Sequence, residues 1–247
     1  TDGFYASEIQ RVGKQGDFIT SVSIGQCFGL ILARRLAKYW QDIGKPEAFH
    51  IIEPGAHDGA LCGDILSDAA QNSPEFFRSL HYHLIETTPR LHPAQEEKLR
   101  PEFNGKFTSH SNLSEIQGVA GAIISNELID AFPVDLIRRV EGEWLQLIVG
   151  LSDDQFKFTE AAITDPSLAE FCLTLDQQTS YPDGYTTEYN PELKTFAQSA
   201  AHSLSAGLLI TIDYGHHAED YYHPDRSEGT LQTYHRHQKS DNPLASP

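Results

Sequence analysis

The sequence predicts an α/β protein: a Rossmann-like, doubly wound parallel sheet with an antiparallel β-meander inserted into it. Two observations predict it. From Phe49 onward short β-rich runs alternate with longer amphipathic stretches, the order that builds parallel strands joined by right-handed crossovers. Between Val134 and Thr159 that rhythm breaks into three strand-like runs joined by short polar loops, which make hairpins rather than crossovers.

Phe49 to Glu53 is the first strand, ending in Pro54-Gly55, and helical spacing follows from Leu61 through Ile65-Leu66 to Ala69-Ala70. Leu80 to Glu86 alternates and ends on an acid. Pro93 then stands where a helix starts, with helix formers from Ala94 to Leu99. Lys106 to His110 is a short third strand. Val119 to Ser125 is nearly continuous in small and apolar residues, as suits a central strand covered on both faces. The meander comprises Val134 to Val140, Trp144 to Gly150 and Gln155 to Thr159, turned at Glu141-Gly142-Glu143 and Ser152-Asp153-Asp154. A helix near Pro166 to Asp176 follows it. Pro191 to Leu204 is the crossover helix to the fifth sheet strand, Gly207 to Asp213, and the expected strand order is 3-2-1-4-5. Residues 1–133 form an N-terminal segment and the first half of the sheet domain. Residues 134–190 are the inserted meander and helix, a lid, a substrate-binding region or a simple cap on the core. Residues 191–247 hold the last crossover helix, the fifth strand and the start of a C-terminal part that is cut short.

A chain of 247 residues, 39% hydrophobic and 21% charged, suits one large core with an appendage. No apolar run approaches the roughly 18 residues of a membrane span. The net charge of −17 argues against nucleic acid or any partner held through phosphates. An acidic surface suits a protein substrate with a basic segment, or serves solubility alone. Cys27, Cys62 and Cys172 lie far apart, form no CxxC and read as reduced thiols, which places the protein in a reducing compartment, the cytoplasm first. No methionine occurs, Thr1 is not a natural start, and Asn242 to Pro247 reads as an interrupted loop. The chain is therefore expected to be clipped, or to have lost its methionine positions. No feature of the sequence sets an oligomeric state.

In an open parallel sheet, ligands bind beyond the carboxyl ends of the strands, where the strand order reverses. The loop Glu53-Pro54-Gly55-Ala56-His57-Asp58-Gly59 leaves the first strand, and its glycines allow a tight turn and close approach of backbone to a ligand. Taken alone, it is equally a compact turn. Glu86 ends the next strand, where an acid accepts hydrogen bonds from both ribose hydroxyls of a nucleoside. Asn112-Leu113 follows the third strand and offers a polar contact and an apolar wall for an adenine ring. Asn126-Glu127 follows the fourth, where the reacting end of such a ligand belongs.

Several segments carry a family resemblance in the right order. They are Gly16-Asp17-Phe18-Ile19-Thr20-Ser21, the Glu53 to Gly59 loop, Ser125 to Val134 and Ile212 to His216, followed by Gly229 to His237 and Asp241 to Leu244. From about Gly16 to the last residue the chain resembles the MidA family of S-adenosylmethionine (SAM)-dependent methyltransferases, which includes a mitochondrial arginine methyltransferase of respiratory complex I assembly. The resemblance implies a class I SAM-methyltransferase fold, SAM as cofactor, arginine of a protein as methyl acceptor, and the mitochondrial matrix as the alternative compartment. It implies that Asp17 and Thr20 fold over the cofactor. Glu53, Gly55, Ala56, His57, Gly59, Glu86, Asn112, Leu113 and Asn126 would then bind it. Ala56 and His57 stand where the family usually has Pro and Gly, and the family continues past Pro247 with a helix and a β-hairpin.

An arginine acceptor has a pKa above ~12, so carboxylates must orient it and offset its charge. Glu127 and Asp130, in a strand-end turn, are the candidates. The alternative is that Asp130 caps a helix and Glu127 only binds the methionine amino group. Two other functions compete. A non-catalytic assembly or scaffolding protein could keep the fold, and His57 favours that. A nicotinamide-dependent oxidoreductase would want GxGxxG, which Gly55, His57 and Asp58 do not supply. His81 and His83, like His235 and His237, have two-residue spacing that can aim both rings at a metal, and His216-His217 adjoin Asp213. No HExxH or Cys/His cluster accompanies them, and no metal is expected.

Overall fold

A computed structural model describes residues 25–235, 238–240 and 242–244. Asp17 and Thr20 lie outside the described residues. The chain divides into two compact units, Thr1–Leu128 with Phe196–Asp213, and Ile129–Thr195 with Tyr214–Pro247.

The first unit is built on a parallel sheet in the order β3-β2-β1-β4-β9, comprising β1 (Phe49–Pro54), β2 (Leu80–Ile85), β3 (Phe107–His110), β4 (Val119–Asn126) and β9 (Leu204–Ile212). This is the expected 3-2-1-4-5, with β9 as the fifth strand. Alternation sends Phe49, Ile51, Tyr82, Leu84, Ala122 and Ile124 to one face. There they pack on α1 (Cys27–Asp42), α2 (Ala60–Asn72), α3 (Pro74–Ser79) and α4 (His92–Phe103). Helix α1 has no counterpart among the sequence-based expectations. It buries Leu32, Ala33, Leu36, Ala37 and Trp40, the one-face spacing of an amphipathic helix. On the other face Ile52, Ile85 and Ile123 pack with Leu113, Ile116 and Ala200, the last from α6 (Glu192–Ser203).

The second unit holds an antiparallel sheet in the order β7-β6-β5-β8, from β5 (Asp135–Val140), β6 (Glu143–Ser152), β7 (Gln155–Ala162) and β8 (Thr186–Tyr189). The three meander strands match the expectation. The short strand β8 was not expected, and it pairs with β5 through Asp135↔Tyr189 to Arg138↔Thr186. Helix α5 (Pro166–Gln178) starts at Asp165, whose carboxylate accepts from the N–H groups of Ser167 (2.7 Å) and Leu168 (3.1 Å), and packs Leu168, Cys172 and Leu175 beside Ile137, Tyr181 and Tyr185. Glu188 of β8, only 4% exposed, accepts from the N–H groups of Thr230 (2.5 Å) and Leu231 (2.7 Å) and so fastens that later segment. A short helix α7 (Ala218–Tyr221) and the hairpin of β10 (Thr233–His235) and β11 (Gln238–Ser240) complete the unit.

Two-residue spacing does put His81 and His83 on one face, but their neighbours there are other imidazoles. His50 Nδ1 lies 2.9 Å from His83 Nε2, His83 Nδ1 lies 3.1 Å from His110 Nε2, and His110 Nδ1 lies 3.2 Å from Glu115 Oε2. His81 stacks on His50 at 5.1 Å. Among the described residues no group of three or more His, Cys, Asp or Glu side chains is arranged to hold a metal ion. No described helix is long and apolar enough to cross a membrane.

Burial, then the neighbouring imidazoles of His50, His110 and His81, push His83 down to about 4. Its folded pKa is thus below its unfolded one, near 6.5. The native state binds fewer protons than the unfolded state between those values, so its stability is lost as pH falls through that window. Measured against His83→Phe, the parent is expected to lose several degrees of melting temperature between about pH 6.5 and about pH 4, the opposite slope contributed by Glu53 being common to both proteins. Scanning calorimetry across that range should show the difference between the two proteins changing with pH, and a constant difference would remove His83 as its source.

Candidate functional site

Parallel pairing sets the carboxyl ends of β1, β2 and β4 side by side: Pro54 is in register with Ile85, and Ile52 with Ile123. The chain reverses its strand order between β1 and β4, which is where a doubly wound sheet offers a ligand its crevice. The turn after β4 meets the turn after β1 there. A methyl group added at Gly55 would stand 2.9 Å from Leu128 Cδ1.

The loop from β1 to α2 bends back on β2. Gly55 (φ +75°), His57 (φ +47°) and Gly59 (φ +77°) all adopt left-handed backbone. That conformation is open to glycine and strained for histidine, which explains the cost of His57 at a position where the resembling family has Gly. The N–H groups of Gly55 and Ala56 both donate to the Ile85 carbonyl, at 2.9 and 3.2 Å, and that of His57 donates to Glu86 Oε2 at 3.1 Å. Gly59 N–H donates to Ala56 O, and Ala60 N–H to Asp58 Oδ1. These five donors are engaged inside the protein, so they do not form a cradle for phosphate. On the far side of the loop, Gln95, wholly buried, donates from Nε2 to His57 O at 2.6 Å, and its Oε1 accepts from Ser109 Oγ at 2.6 Å.

What this edge presents is acceptors. Glu86, 9% exposed, is fixed by His57 N–H on Oε2 and Thr88 N–H on Oε1 (2.9 Å), leaving lone pairs on both oxygens for further donors. Asn126 Oδ1 is buried without a hydrogen-bond partner. Glu127 has left-handed backbone (φ +47°), with its N–H on Ile212 O at 2.8 Å, and such strain in a non-glycine residue is characteristic of functional turns. Asn112 caps the turn Leu113–Glu115, accepting from Ser114 N–H at 2.9 Å, and Leu113 is buried in the second-face core. Asp130 sits in the 3₁₀ turn Ile129–Ala131, in the second unit. Asp58 pairs with Lys98 at 2.8 Å; burial would raise its pKa, but His57 and Lys98 hold it well below the usual carboxylate range.

Donor-rich ligand groups fit such an edge: ribose hydroxyls at Glu86, and an ammonium at Asn126. A pyrophosphate, which brings only acceptors, does not. Two residues of this edge were missed in the sequence. Gln95 gives no signal in a polar helix. Tyr82 could have been found, because strand alternation puts it on the core face, where a phenol needs a partner.

That partner is Glu53. The two are buried, with Tyr82 OH donating to Glu53 Oε2 at 2.7 Å. Burial pushes the Glu53 carboxyl up to about 8, against the pull of the Tyr82 hydrogen bond. The folded state therefore holds a proton that the unfolded state releases near pH 4.5, and stability falls as pH rises from there to about 8. Glu53→Gln, neutral at every pH, should melt several degrees above the parent at pH 8 and close to it at pH 5. A constant difference across that range would show that Glu53 is ionised throughout.

Over residues 31–247 the chain matches the model of the family described as "Putative S-adenosyl-L-methionine-dependent methyltransferase". It is 24% identical to the mitochondrial protein arginine methyltransferase NDUFAF7 homolog of Drosophila melanogaster, over 99% of this chain and 59% of that protein. To the Bos taurus mitochondrial protein arginine methyltransferase NDUFAF7 it is 26% identical, over 87% of this chain and 52% of that one. A crystal structure of a "likely methyl transferase" from Burkholderia thailandensis, bound to S-adenosyl-homocysteine, superposes with a TM-score of 0.84 at 25% identity, covering 98% of this chain and 62% of that one. The chain thus spans a little over half the length of these relatives. Its sheet order, its acceptor-lined edge and the match over most of its length agree, and the chain belongs to this family of SAM-dependent methyltransferases.

Proposed function

We propose that the protein represented by this chain transfers a methyl group from SAM to a protein side chain, with arginine as the acceptor. The observation that carries the reading is the polarity of the carboxyl edge, whose loop donors are engaged internally while Glu86 and Asn126 Oδ1 offer acceptors. Glu86 takes the ribose hydroxyls. Asn126 takes the ammonium of the methionyl end, Glu53 stands buried at the base of the loop, and Gly55, Ala56, His57 and Gly59 pass close beneath the ligand. Asn112 and Leu113 flank the adenine, and Asp17 and Thr20 close over the cofactor, as the family resemblance implies.

When bound, SAM supplies a methyl group on a positively charged sulfur, and in-line placement of the acceptor nitrogen provides much of the rate. Glu127 holds the guanidinium by a charge-assisted hydrogen bond, and Asp130, three residues on in the sequence, is the second candidate carboxylate for that role. As the N–CH₃ bond forms and the S–CH₃ bond breaks, the acceptor nitrogen sheds a proton, and the carboxylate bonded to it is placed to take it. The net charge of −17 favours encounter with a basic protein segment. The names of the Drosophila and Bos relatives support arginine as acceptor and the mitochondrion, the alternative compartment, over the cytoplasm expected first, which has no such support.

A second reading, a scaffold that keeps the fold without turnover, draws on His57 at a glycine position and on Leu128 close over Gly55. Calorimetric titration with SAM and S-adenosylhomocysteine separates the two, because an empty scaffold binds neither. Methyl-labelled SAM added to a lysate should place label on arginine, located by mass spectrometry. Glu127→Gln should lower that labelling by roughly 10²-fold or more. Label on lysine or on a small molecule would remove the arginine assignment, and tight binding without any label would leave only the fold and the cofactor site.

A further inference from the structure

We infer that Gln95 is a positioning residue for the cofactor loop, holding His57 in the left-handed conformation that the loop requires. The inference rests on the cofactor reading above and adds to it a residue on α4, outside the loop. Three observations converge. His57 has φ +47°, a left-handed conformation that strains a residue carrying a Cβ and leaves glycine unstrained. Its carbonyl is gripped by a side-chain amide with no exposure at all, at 2.6 Å. Its N–H is gripped from the other side by Glu86 Oε2 at 3.1 Å.

The chemistry of the grip is directional. A carbonyl only accepts, so the NH₂ end of Gln95 must face His57, leaving its oxygen toward Ser109. Ser109 Oγ donates to that oxygen at 2.6 Å, which locks the amide against flipping. Ser109 belongs to β3, so the loop after β1 is referenced to a strand two positions away in the sheet. The peptide groups flanking His57 are thereby fixed from both ends. If the carbonyl were released, the backbone could relax toward the right-handed region, and the His57 N–H would leave Glu86. The carboxylate meant for the ribose hydroxyls would then lose one of the two donors that orient it.

This makes Gln95 matter only while residue 57 carries a side chain. Glycine reaches positive φ without strain and does not need the grip. The test is a double-mutant cycle on the 247-residue chain, reading S-adenosylhomocysteine affinity by calorimetry and melting temperature in parallel. Gln95→Ala should weaken binding about tenfold in the parent, and less than about twofold in a His57→Gly background. Ser109→Ala, which leaves Gln95 in place and opens little space, should show a smaller loss with the same dependence on residue 57. The second substitution serves if Gln95→Ala does not fold. Equal losses in both backgrounds, or losses that track melting temperature alone, would overturn the positioning role and leave the cofactor reading standing. A parent chain that binds no S-adenosylhomocysteine would overturn the cofactor reading, and this inference with it.

Discussion

The turn after β1 is held by the end of β2: the Ile85 carbonyl takes two of its N–H groups and the Glu86 carboxylate a third. Everything proposed for the site follows from that allocation. A loop whose donors are satisfied internally cannot cradle phosphate, and an edge left with carboxylates and an unpaired amide oxygen attracts donors and positive charge. The same bonds bind the turn to its neighbouring strand, so the ligand side is built before a ligand arrives. Register makes the arrangement possible, because Pro54 stands beside Ile85 and the two strand ends finish level.

Several unfavourable features collect at this edge. His57 and Glu127 take left-handed backbone, Glu53 is buried with the Tyr82 phenol as its hydrogen-bond partner, and Asn126 hides an acceptor without a donor. Each costs stability, and the packed helical face beneath the sheet offsets it with fully buried side chains such as Phe49, Ile51, Ile65 and Leu66. The opposite face is less complete. The connection from β3 to β4 carries only the three-residue turn Leu113–Glu115 where a crossover helix could stand, and the strands beside it are covered by stacked histidines. Neutral imidazole suits a half-buried surface of this kind because it is flat, can pair with its own kind and needs no counter-ion.

The sheet was readable in sequence because each strand announces itself locally: continuous apolar residues in Val119 to Ser125, alternation in Leu80 to Ile85, and an acid or glycine where the strand stops. Helix α1 carried an equally plain signal in Leu32, Ala33, Leu36, Ala37 and Trp40, so nothing physical hid it. Strand β8 is different. Four residues, Thr-Thr-Glu-Tyr, with a buried glutamate among them, have no period to detect. It is a strand because β5, far back in the chain, gives it a partner, and because Glu188 is paid for by the N–H groups of Thr230 and Leu231.

Local residue pattern by itself determined where the strands fall, the position of the insertion and the identity of the strand-end acids and glycines, since periodicity and turn chemistry are properties of neighbours in the chain; the strand order followed only from the fold class those elements imply. Only the folded chain decided which hydrogen-bonding groups stay open at that edge. Tyr82 meets Glu53 and Gln95 meets His57 through contacts between residues distant in sequence, whereas the Asn112 turn is a capping box that its own four residues spell out. A carboxylate's protonation and an amide's direction depend on burial and on partners, and those exist only once the strands are side by side.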